Sequence, residues 1–209
     1  MQEKNIFSFS PHSQTGASLI VVLLILVVVS ILGISGIQIS MMGERSSRND
    51  RDNQIAWQSA EAALIDAEFD IEGLPATSTA RRNNIFSLGK TDIAKFVQNC
   101  GNSGQTRGLC TLNAAGTNIK PAWLMVDFTA TGNDAATTAL GTFTSRAFPS
   151  GSAGIQPAKP PRYVIEAISD PDQSRTAKPT DVKYIYRVTA MGFGPNPETQ
   201  AVMQMLYRN

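Results

Sequence analysis

The sequence predicts an α+β fold in which one long N-terminal α-helix packs on a small antiparallel β-sheet, and three observations carry that expectation. An apolar run without a charged residue fills positions 17–39. An apolar stripe at spacings of three and four continues the helical pattern to residue 71, with no proline between Glu44 and Glu72. Four later segments, 123–129, 162–168, 184–190 and 200–207, are rich in β-branched and aromatic residues, as strands are.

The first element is long enough to cross a membrane. About 23 residues at roughly 1.5 Å each span about 35 Å, enough for a bilayer's hydrocarbon core. A secretory signal has a shorter apolar stretch, about 7–15 residues, ahead of its cut site. No cysteine lies near the end of the run to carry a lipid. Arg45, Arg48 and Arg51 follow it, whereas Lys4 is the one cation side chain before it within the leader. By the positive-inside rule this balance favours a cytoplasmic C-terminal side, and the cysteines below argue the reverse.

The stripe beyond the anchor is formed by Trp57, Ala60, Leu64, Ala67 and Ile71, which are expected to face the sheet. Glu61, Glu68 and Glu72 occupy another face, suited to solvent. Gly73 and Pro75 signal the stop. A helix over 17–72 would be roughly 80 Å long, with Gly33, Gly36 and Gly43 as its weak points. Thr91 is placed to cap a short helix over 92–98. Residues 192–197 form a hairpin loop between the last two strands. The Gly, Ala, Thr, Ser and Pro-rich stretch 129–162 reads as a long loop or as hiding a further element.

Cys100 and Cys110 are the only cysteines, in a stretch made pliable by Gly101, Gly104 and Gly108. Two thiols with no histidine nearby are too few for zinc, and redox pairs are usually spaced C-x-x-C. A structural disulfide in an oxidising compartment is favoured over two free thiols. It would restrict the unfolded chain by roughly 2.5–3 kcal/mol in the entropic account.

Several stretches together resemble a known family. Gly16 followed by Ala17-Ser-Leu-Ile-Val-Val-Leu-Leu24 looks like a class III prepilin signal. Residues 51–68, Pro161-Arg-Tyr-Val-Ile-Glu166, Tyr186-Arg-Val-Thr-Ala-Met-Gly-Phe-Gly194 and Gln204-Met-Leu-Tyr-Arg208 resemble the PilX-like minor pilins of type IV pili. The resemblance implies a pilin-like fold divided into a leader (1–16), a transmembrane and assembly half-helix (17–43) and an extracytoplasmic domain (44–209). It implies cleavage between Gly16 and Ala17 by a prepilin peptidase and methylation of the new amine. The protein would lie in the inner membrane as a single-pass subunit with a periplasmic domain, then pass into a surface pilus. Its partners would be other minor pilins, the major pilin and a large tip adhesin. Two positions depart from the family's pattern. Ser13, Gln14 and Thr15 stand where family leaders carry Lys or Arg, and Val21 stands where most relatives have a glutamate five residues after the cut. A buried carboxylate that pairs with the amine of a neighbouring subunit is dispensable in the subunit that begins the fibre. Val21 therefore points to a subunit that primes assembly at or near the tip.

Catalytic patterns are missing from the sequence. His12, the only histidine, lies in the leader, so no His-based triad or general base remains. There is no P-loop, and the net charge of +1 gives no reason to expect nucleic acid. Asp170-Pro-Asp-Gln-Ser174 reads as an acidic turn, lacking the spacing of a calcium loop, and Arg81-Arg82 as a solvated basic pair. No metal, cofactor or enzymatic activity is expected. Two alternatives differ in kind: a K-type pseudopilin of a type II secretion system, and a single-pass membrane-anchored or exported periplasmic binding domain unrelated to fibres, cut near Ser35 or not at all.

Overall fold

The computed structural model describes residues 17–74, 79, 81–87, 90–111, 120–171 and 182–208. Gly16 with the rest of the leader, Pro75, and most of the acidic turn after Pro171 lie outside the described residues. The chain divides into two compact units, Met1–Arg48 and Asn49–Asn209.

One α-helix, α1, runs over Ala17–Glu72 and continues through Gly33, Gly36 and Gly43. In the first unit the side chains from Ser18 to Arg48 are all exposed. Ser30 and Ser35 donate their hydroxyls to the carbonyls of Leu26 (2.7 Å) and Ile31 (2.9 Å), so neither leaves an unsatisfied donor in an apolar setting. The helix stops where glycine permits it. Gly73 adopts φ +77°, and Leu74 N–H donates to Phe69 O at 2.8 Å, the 6→1 bond of a Schellman cap.

The second unit is built on a mixed five-stranded sheet. A small hairpin, β1 (Phe86–Ser87) and β2 (Lys90–Thr91), stands apart from it. The main strands are β3 (Leu109–Thr111), β4 (Thr138–Ala139), β5 (Arg162–Ser169), β6 (Tyr184–Phe193) and β7 (Gln200–Arg208). The order is β3-β5-β6-β7, with β4 also on the outer edge of β5. β5, β6 and β7 form an antiparallel meander, while β3 runs parallel to β5, with Leu109 opposite Ile165. The sheet is thus mixed rather than purely antiparallel. A parallel pair requires a long crossover, which local patterning does not reveal.

Both faces of the sheet are covered. Tyr163, Ile165, Tyr186, Val188 and Ala190 meet Ala63, Leu64, Ala67 and Ile71 of α1, together with Phe86 and Phe96. The Phe86 ring stands edge-on to Phe96 and Tyr186, with centroids 6.0 and 5.4 Å apart. On the opposite face Val164 packs with Cys100, Cys110, Ala122 and Phe128. This two-sided cover explains why β5 is buried along most of its length.

Several expectations need correction. Trp57 does not face the sheet: it is 57% exposed, whereas Ala56, Ala60, Ala63 and Ala67 are fully buried. Trp57 follows Ala56 by one residue, about 100° round the helix. A second reason is the narrow gap. At Gly192 of β6, a Cβ would lie 2.9 Å from Ala60 Cα, so only small residues fit on the facing stripe. Segment 123–129 is not a strand; Pro121 opens a 3-10 turn over Ala122–Leu124, anchored by Ala122 N–H donating to Glu166 Oε1 at 2.7 Å. The helix expected over 92–98 is a single 3-10 turn, Ile93–Lys95, capped by Asp92 and not Thr91. Val97 is drawn instead into a bridge with Cys110. Stretch 129–162 contains β4 and a series of turns, tied down at Leu140 N to Pro161 O (3.0 Å).

Candidate functional site

The apolar helix is the most conspicuous surface of the first unit. Leu19 through Leu32 present large aliphatic side chains to the outside, and Val21 is 56% exposed. Continuous exposed apolar area on this scale marks a surface made for lipid or for other helices. Its far end carries Glu44 paired with Arg48 at 2.5 Å, and Arg51 of the second unit pairs with Asp52 at 3.0 Å. Such exposed pairs contribute little to stability.

The disulfide joins Cys100 and Cys110, with Cα atoms 4.1 Å apart. Asn99 and Cys100 both adopt positive φ, 59° and 62°, conformations unusual outside glycine. The loop they bend is clamped by Gly101 N to Leu109 O (3.1 Å) and Gly108 N to Gly101 O (2.9 Å). Both cysteines are buried against Phe128 and Val164. The cross-link therefore holds β3 and the outer layer together.

Two buried ionic knots hold the rest of the second unit. Arg82, read from sequence as part of a solvated pair, is fully buried and corrects that expectation. It grips Asp70 with both Nε (3.0 Å) and Nη2, donates Nη1 to the carbonyls of Gln105 (3.2 Å) and Arg107 (2.7 Å), and lies 3.8 Å from the Phe143 ring centre. Tyr163 donates its hydroxyl to Asp70 Oδ2 at 2.8 Å, and burial pushes its own titration well above the usual phenol range. One turn earlier on α1, Asp66 accepts from Thr144 Oγ1 (2.5 Å) and Gly141 N (2.8 Å). Burial raises the Asp66 pKa against the pull of these bonds and of Arg146. Asp66 and Asp70 break the apolar side of α1 at a spacing of four, and that was the available signal. A third pair on the other sheet face joins Glu166 to Arg187 at 2.7 Å.

These charges tie α1 to the loops and strands around it, and β5 to β6. The described residues contain no group of three metal-ligating side chains. Ala60, Leu64, Ala67 and Ile71 are buried at the α1–sheet contact and Trp57 is outside it. The first unit is thus an exposed apolar helix, and the second is an α+β unit braced by a disulfide and buried ion pairs.

Comparison with known families agrees with that architecture. The family model "PilX N-terminal" matches residues 15–64, and "Type IV pilus assembly protein PilX C-term" matches residues 98–209, more than half of the chain. No curated protein and no solved structure gives a significant match. With an apolar helix, an α+β head and both family models in place, this chain belongs to the PilX family of type IV pilus assembly proteins and is a minor pilin, a structural subunit that works with other pilus components.

Proposed function

We propose that this minor pilin primes pilus assembly and occupies a position at or near the tip. The observation that supports the reading is Val21, an apolar side chain on the exposed assembly helix where the family's pattern implies a glutamate. A carboxylate in hydrocarbon is costly unless it is paired. Pairing with the amine of a preceding subunit has no meaning for the subunit that starts the fibre. Before assembly, the segment 17–43 holds the subunit in the inner membrane, with the domain 44–209 on the periplasmic side; a disulfide suits that compartment. A prepilin peptidase cuts between Gly16 and Ala17. Other minor pilins, the major pilin and a large tip adhesin are its partners.

The experiment is to label the subunit and locate it along sheared pili, in the unmodified chain and in Val21→Glu. Label confined to one end, and shaft incorporation gained by Val21→Glu, is the expected result. Uniform label in the unmodified chain would refute tip placement. Intact mass of the membrane-extracted protein tests processing: loss of the leader with one added methyl group is expected.

A further inference from the structure

Among the described residues the sheet ends in a strand, β7, with no partner strand on its outer side. β7 pairs with β6 at every position from Gln200 opposite Phe193 to Arg208 opposite Ile185, with no bulge. On its other side no described strand pairs with it. Proteins usually blunt such an edge with lysine, proline or a bulge. β7 has no proline or lysine and no charge before Arg208 at its last position. A long unprotected edge is the template on which an extended segment adds as a further strand.

The two faces of that edge differ, and the difference specifies the partner. On the outward face Val202 is 45% exposed and Leu206 69% exposed. Toward α1, Met203, Met205 and Tyr207 reach the core but stay only partly covered. The α1 side is also acidic. Tyr207 donates its hydroxyl to Glu72 at 2.6 Å, and the charge of Glu68 is close enough to act on the same phenol. Among the described residues neither Glu68 nor Glu72 forms an ion pair.

We propose that β7 is the docking edge for an extended segment of another pilus subunit, one that alternates apolar side chains with lysine or arginine. Its backbone completes the hydrogen-bonding row of β7, its apolar side chains cover Val202 and Leu206, and its cations face Glu68 and Glu72. A second copy of this chain fits less well. In full antiparallel overlap it sets Ala201 opposite Tyr207 and brings no cation to that end. The proposal holds wherever along the fibre the subunit resides.

The test uses the full chain in zwitterionic detergent micelles and deuterium exchange of the 200–208 segment. The probes are two ten-residue peptides, one alternating lysine with valine and the other glutamate with valine. The lysine peptide is expected to slow exchange in β7 by about tenfold at saturation, and the glutamate peptide to leave it unchanged. The double variant Glu68→Lys/Glu72→Lys reverses that preference, and Leu206→Asp weakens protection by the lysine peptide. Unchanged exchange in β5 checks that each variant is folded. Equal protection by both peptides, or by neither, overturns the proposal. So does protection that grows with protein concentration alone, which would make a second copy the occupant. In cells, a photo-reactive phenylalanine analogue at Leu206 is expected to cross-link to a segment of another pilus subunit with this alternation. Cross-links to this chain alone would refute the assignment.

Discussion

Gly192→Ala puts one methyl group against the backbone of α1, where helix and sheet approach closely. The new Cβ would fall inside van der Waals contact of Ala56 O and Ala60 N, and 2.9 Å from Ala60 Cα. These are main-chain atoms of α1, so no side chain can rotate away to make room. Gly192 is not at a positive φ, so the whole loss is steric. Overpacking a core costs about 1–3 kcal/mol, and a clash with helix backbone belongs at the upper end. For a unit of this size, about 3 kcal/mol corresponds to a fall in Tm of roughly 6–12 °C. The assay is thermal unfolding of the full chain in detergent micelles, followed by near-ultraviolet circular dichroism and by tryptophan fluorescence. Adding Ala60→Gly brings no rescue, because the methyl it removes is not what the new Cβ strikes, and it lowers stability by about a further 1 kcal/mol. A Gly192→Ala chain that melts within about 1 °C of the wild type would refute this account of the α1–β6 contact.

Three more outcomes are expected. Arg82→Ala leaves Asp70 buried without its cation and costs about 3–5 kcal/mol, whereas Asp70→Asn with Arg82→Met recovers most of it; denaturant unfolding measures both. Because burial holds the Asp66 carboxyl above its ordinary 3.8, the folded state prefers the protonated form. Its stabilisation is therefore full below that ordinary value and is lost as pH rises through the elevated one. The Tm of the wild type minus that of Asp66→Asn should grow on acidification from neutral pH, and a flat or opposite trend contradicts the assignment. Cys100→Ser with Cys110→Ser should cost roughly 2.5–3 kcal/mol by equilibrium unfolding under non-reducing conditions, since the loop it closes is short.

The contrast between what was readable and what was not follows the range of the signal. The three long strands and the two helical stretches are visible because alternation and the helical period are properties of neighbours in sequence, whereas the continuity of α1 through Gly33, Gly36 and Gly43 is shown by the structure alone. The two-residue β4 is too short to leave a pattern, and its place beside Arg162 and Tyr163 is set by tertiary pairing. Segment 123–129 has strand composition, yet Glu166 captures Ala122 and turns the chain there. Among site residues, Cys100 and Cys110 could be paired because no third ligand competed. Arg82 could not be placed, because its partners are Asp70 on α1 and two carbonyls of the cysteine loop.

By itself the sequence determined the apolar run, the helical stripe beyond it, its stop at Gly73 and the strand character of β5, β6 and β7, since each depends on residue types at short separation. Only tertiary structure decided which side of α1 meets the sheet, that β5, β6 and β7 pair as a meander, that β3 runs parallel to β5, that Arg82 is interior, and that no described strand covers the outer edge of β7. Those features depend on which distant segments meet. Two alanines at the right rotation and one glycine across from them outweigh the indole of Trp57, because backbone can approach backbone only where no side chain intervenes.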